Sequence, residues 1–204
     1  QLLPVIVMPY LMVKLGAEGY GYVGFSLSVV QYLIIIVDFG FNLSATKRIA
    51  VVANDRIALS HVFWNVVAAK LLLMFLTTLA LLILVVCIPT FRLYGNAIIA
   101  TYPMLLGSAL TFIWFFQGIG RIRLFSIMNT VSKIALLPLI FVFIQSPDDY
   151  VVAALLQAVV FVSTAIISNI YVARQRLVEW IRPTWKLVKE ELHVSFPLFL
   201  SSAS

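Results

Sequence analysis

From Val62 to Ile88 the chain carries one charged side chain, Lys70, in a run that is otherwise almost wholly apolar. About 20 such residues in a helix cross a hydrocarbon core of roughly 30 Å. Lipid offers no hydrogen bonds, so the backbone inside it must satisfy its own donors and acceptors, which a helix does within one segment. Comparable runs lie at Tyr22–Phe41, Ala97–Gln117, Ser126–Ile144 and Val151–Val172. A shorter one at Leu2–Val13 is an incomplete first span, and a seventh begins near Ser195. The expectation is an all-α, polytopic transmembrane bundle of six spans, the first partial, plus the start of a seventh.

Composition excludes the main alternative. Only 11% of the 204 residues are charged and 63% are hydrophobic, whereas a soluble domain needs about 25% charged residues to keep its surface wet. The net charge of +6 does not indicate nucleic acid, because the basic residues are spread between apolar runs instead of forming a patch. Their placement reads as membrane topology. Lys47, Arg48, Arg56, Arg121, Arg123, Arg174, Arg176, Arg182, Lys186 and Lys189 follow spans two, four and six, and only Lys14 and Arg92 fall in the opposite loops. Cytoplasmic loops retain basic residues, so the first set is expected to face the cytoplasm.

The chain opens on Gln1 with no basic leader and no cleavage site, and it closes inside an apolar run. It is therefore read as a piece of a longer protein. Three parts are expected: residues 1–172 as a six-helix lobe, residues 173–194 as a cytoplasmic amphipathic connector, and residues 195–204 as the start of a second lobe. In the connector, Trp185, Val188 and Leu192 recur at helical spacing beside Lys186, Lys189, Glu190 and Glu191. Such a helix could lie on the membrane surface or simply join two bundle halves.

Signatures of catalysis are missing. Cys87 has no second cysteine, and His61 and His193 are far apart at span edges, so no metal site, cofactor site or nucleophile relay is expected. The glycines of Lys14–Gly21 read as a turn, not a phosphate loop. The informative groups are the ionisable ones inside spans: Asp38, Lys70 and Lys133. Each costs about 3 kcal/mol to insert and is a functional candidate on that ground. Asn129 shares a helical face with Lys133, as do Ser126 and Thr130; Gln31 lines up with Asp38, and Thr77 with Lys70. Two readings stand. Facing stripes could line a hydrated cavity whose cationic excess attracts an anionic solute or head group. Alternatively, the polar groups join helices by hydrogen bonds, and the lysines snorkel to water or pair with Asp38.

Three longer stretches carry a resemblance: Leu15-Gly16-Ala17-Glu18-Gly19-Tyr20-Gly21, Asp38-Phe39-Gly40-Phe41-Asn42-Leu43-Ser44-Ala45-Thr46-Lys47 and Trp114-Phe115-Phe116-Gln117-Gly118. With Phe196-Pro197-Leu198-Phe199-Leu200 at the opening of span seven, they resemble the O-antigen flippases of the Wzx family. These form part of the polysaccharide-transport branch of the multidrug/oligosaccharidyl-lipid/polysaccharide exporter superfamily. The resemblance implies the first lobe of a two-lobed transporter in the bacterial inner membrane. It further implies a lipid-linked oligosaccharide as cargo, carried on undecaprenyl pyrophosphate and moved by alternating access, with membrane lipids around it and polysaccharide polymerase or ligase proteins as partners. One departure is visible: an acidic residue is expected after Gly118, and this chain has Gly120 followed by Arg121. Competing expectations are a cation-coupled drug exporter, which would call for acidic cavity residues, and a membrane scaffold for polysaccharide assembly.

Overall fold

The computed structural model describes the backbone of residues 3–203 and the side chains of residues 7–199. Leu2, the side chain of Pro4 and the side chains from Leu200 to Ser204 lie outside the described residues. The chain is helical almost throughout: α1 Leu3–Asp38, α2 Phe41–Val51, α3 Arg56–Cys87, α4 Pro89–Leu93, α5 Gly95–Thr101, α6 Pro103–Ala109, α7 Ile113–Gly118, α8 Ile122–Phe143, a 3₁₀ turn Pro147–Asp149, α9 Tyr150–Arg174 and α10 Trp185–Ala203. No strand occurs among the described residues.

Five helical stretches are long and apolar enough to cross a bilayer: Val7–Val51, Arg56–Cys87, Gly95–Gly118, Ile122–Phe143 and Pro147–Arg174. The protein is a multi-pass membrane protein. A straight helix of the first stretch's 45 residues would reach roughly 68 Å, more than twice a hydrocarbon core. The chain breaks it at Gly16, whose φ of 67° and ψ of −179° lie in a region open essentially to glycine alone. The expected loop Lys14–Gly21 is accordingly helix on both sides of one glycine. Ala17, Glu18 and Tyr20 are all compatible with a helix once Gly16 has absorbed the change of direction.

The connections fall on two sides. Lys14 Nζ donates to Gln145 Oε1 at 3.0 Å, and the Tyr22 ring lies 5.0 Å from both Tyr94 and Tyr150. The turns after spans one, three and five therefore meet. Arg56, Arg121 and Arg176 together line one pocket, so the connections after spans two, four and six meet as well. This is the alternation that successive crossings of a membrane produce.

Helix ends deviate from the hydropathy reading for local reasons. α3 begins at Arg56, well before Val62, because the Asp55 carboxylate caps the Ile57 and Ala58 amides at 3.0 and 3.1 Å. The fourth span, expected as one helix, is three: Pro103 has no amide to continue the ladder, and a second break spans Leu110–Phe112. Between these breaks α6 lies against α9 at Gly107, where a Cβ would sit 2.6 Å from the Phe161 carbonyl carbon. α10 runs without interruption through the expected boundary between residues 194 and 195. Its buried positions Val188, Glu191 and Ser195 turn toward the bundle, so this helix is docked on the protein.

Candidate functional site

The polar interior is organised by the interrupted fourth span. Each break leaves carbonyls with no partner four residues on, and in a membrane the protein itself must satisfy them. The Ser108 carbonyl accepts from Lys70 Nζ at 3.2 Å. The Leu110 carbonyl accepts from Asn169 Nδ2 at 2.9 Å, and that of Trp114 from Thr46 Oγ1 at 3.1 Å. The Ser108 carbonyl also keeps a bond from the Thr111 amide at 3.2 Å, and Trp114 lies within α7, so side chains of α3 and α2 add to the backbone bonding around the break while Asn169 of α9 supplies the partner that the Leu110 carbonyl lacks.

Lys70 is 1% exposed, and its ammonium lies 3.0 Å from Asp38 Oδ1, whose side chain is 28% exposed. Of the residues singled out in the sequence, these two are brought together. Removal of two charges from water is tolerated here because they neutralise each other and the lysine also serves the Ser108 carbonyl. Thr77 is buried and spends its hydroxyl on the Leu73 and Met74 carbonyls of its own helix, at 2.9 and 3.0 Å. Other stripe residues join helices directly: Ser26 meets Thr101 at 3.0 Å and Thr78 meets Tyr102 at 2.7 Å. These stripe residues serve as contacts between helices.

Lys133 is placed differently. It lies midway along α8, exposed, with Ser126 and Thr130 exposed and Asn129 half-buried on the same face. Among the described residues it forms no ion pair or hydrogen bond. The helix end is about 16 Å away along the axis, beyond the reach of a lysine stem. Gln31, exposed on α1, is likewise without a described partner. Neither residue joins the Asp38–Lys70 pair.

Arg48 on α2 meets Glu191 on α10 at 2.7 Å. Glu191 is 1% exposed, and its second carboxylate oxygen has no partner among the described residues. Burial pushes its carboxyl up to about 6 against the opposing pull of Arg48. Alongside, Ser44 and Ser195 hydroxyls meet at 2.7 Å. The non-helical segment 175–184 is strapped to α3. Glu179 donates its amide to Ser60 Oγ at 2.8 Å and accepts from Trp64 Nε1 at 2.8 Å. The Thr184 amide reaches Asn65 Oδ1 at 3.1 Å.

Asn169, Ser60, Trp64 and Asn65 were not singled out from the sequence. An amide within an apolar run such as Asn169 is a detectable signal, but the carbonyl it serves is visible only once the fourth span is known to break. No group of three potential metal ligands occurs among the described residues.

A model of the family described as "Polysaccharide biosynthesis protein" matches residues 1–204. The chain belongs to this family. One relative from Escherichia coli (strain K12) is 29% identical over 203 residues, which is 100% of this chain and 49% of the relative. Another, from Shigella dysenteriae, is 30% identical over 203 residues and is covered to 51%. Each is named "Putative O-antigen transporter". The chain spans about half the length of these two relatives. No solved structure matches it.

Proposed function

We propose that the chain forms the first lobe of a transporter that carries a lipid-linked oligosaccharide across the bacterial inner membrane for polysaccharide assembly. The single observation behind this reading is Lys133, an unpaired ammonium at the middle of an apolar helix. Facing lipid, it would cost about 3 kcal/mol. Facing a hydrated cavity shared with a second lobe, it carries a positive charge to the place where an anionic head group must pass. The family match and the transport named in both relatives agree with that role.

The cargo is an undecaprenyl-pyrophosphate-linked repeat unit. Its pyrophosphate is received by Lys133, its sugars by amides such as Asn129 and Gln31, and its polyprenyl tail stays in lipid. The two lobes rock about this site, opening it to one face and then to the other. The connections after spans two, four and six lie in the cytoplasm, as their basic residues require. Asp38 and Lys70 hold the interrupted fourth span in shape beside the route.

The test is the full-length protein in cells that lack their own O-antigen transporter. Lys133→Ala should lower surface O-antigen at least severalfold at unchanged membrane abundance. Normal display at normal abundance would remove Lys133 from the route and this reading with it.

A further inference from the structure

The sequence departure at Gly120 and Arg121 finds no use in the transport route, yet it contributes to a built site. α7 ends with Gly120 in the left-handed region at φ 71°, the Gly120 amide on the Gln117 carbonyl at 3.1 Å and the Arg121 amide on the Phe116 carbonyl at 2.7 Å. This is the double bond of a Schellman cap, which glycine favours. α9 ends in the same way: the Arg176 amide reaches the Ala173 carbonyl at 3.1 Å and that of Leu177 the Val172 carbonyl at 3.2 Å. Here, however, the left-handed position is held by an arginine, Arg176, at φ 46°.

A residue with a Cβ is a poor occupant of that conformation, which costs a non-glycine residue roughly 1–2 kcal/mol. The cap alone would be better made by glycine, as at Gly120. What arginine adds is a guanidinium at a particular place. The two caps place Arg121 and Arg176 on the lining of one pocket of about 360 Å³, which Arg56 joins from the first turn of α3. Asn54 joins its polar rim, and Leu59 and Phe115 line its wall. No acidic residue lines the pocket. Arg56 is 3.5 Å from Glu179, both side chains being about half exposed. Arg121 donates to the Tyr171 hydroxyl at 3.2 Å, and Arg176 forms no ion pair or side-chain hydrogen bond among the described residues.

We propose that this pocket binds the phosphate of an anionic phospholipid from the surrounding bilayer. The three arginines converge at helix ends, the depth of the head groups, and planar guanidinium groups hold phosphate oxygens in pairs. The apolar wall is suited to the glycerol and the start of an acyl chain. Basic pockets between transmembrane helices on one membrane face are recurrent sites for such head groups. The assignment stands apart from the transport reading, since it uses none of the residues placed on that route.

The experiment is native mass spectrometry of the full-length protein released from nanodiscs that contain equal phosphatidylglycerol and phosphatidylcholine. Wild type should retain phosphatidylglycerol in preference. Arg121→Gln and Arg176→Gln should each weaken that retention about fivefold, while Arg123→Gln, a nearby exposed arginine outside the pocket, should leave it unchanged. Arg176→Gly separates binding from folding: it relieves the strained cap, so the melting temperature should hold or rise while phosphatidylglycerol retention still drops about fivefold. Equal retention of the two lipids, an equal loss in Arg123→Gln, or an undiminished signal in Arg176→Gly would each overturn the proposal. Displacement of the bound lipid by micromolar pyrophosphate would also overturn it, by assigning the pocket to a soluble phosphate.

Discussion

Glu191 is a carboxylate taken out of water with half of its hydrogen-bonding capacity unused. Its carboxyl lies at about 6 instead of 4.5, so between these values the folded protein holds a proton that the unfolded chain has released. Stability therefore falls as pH rises from 4.5 to 6, by at most about 2 kcal/mol. Glu191→Gln keeps the shape and removes the titration. Thermal unfolding in detergent across pH 4.5–6.5 should show a declining melting temperature for wild type and a flat profile for this variant; parallel profiles would contradict the assignment.

The interrupted fourth span is the element on which the interior depends. Lys70→Met leaves the Ser108 carbonyl and the Asp38 carboxylate without their shared partner and should cost about 2 kcal/mol, less than a wholly buried pair because Asp38 retains an exposed edge. Adding Asp38→Asn should recover part of the loss. A double variant that unfolds as the simple sum of the two singles, in a thermal melt, would deny the coupling. The apolar runs were legible in the sequence, since hydropathy reports the solvent and lipid is the solvent here, but helix ends were not: α3 begins at Arg56 and α1 continues through the expected loop. The first break at Tyr102 follows from Pro103. The second, at Leu110–Phe112, has no proline or glycine at its centre, and what holds it open is Asn169 from a helix distant in sequence. The Asp38–Lys70 pair was among the readings the sequence left open. The choice between pair and cavity lay in helix rotation, which periodicity leaves free by tens of degrees.

At the scale of the whole molecule, one face of α8 remains polar and uncovered, while Lys70, Thr77, Ser26, Thr101 and Thr78 are engaged by neighbours. If that face borders water in the full-length protein, Asn129→Cys, in a background where exposed Cys87 is replaced by serine, should react with a membrane-impermeant maleimide. Thr164→Cys, at a site 3% exposed, should stay unlabelled. Protection at residue 129 equal to that at 164 would mean that no aqueous space adjoins α8. The strap between α9 and α10 bears on how such a protein is made. Glu179 and Thr184 find their partners on Ser60, Trp64 and Asn65, all of which leave the ribosome more than a hundred residues earlier. The outgoing chain is thus fastened to a surface already in place, so α10 can be seated at its final angle while later segments are still being threaded into the bilayer.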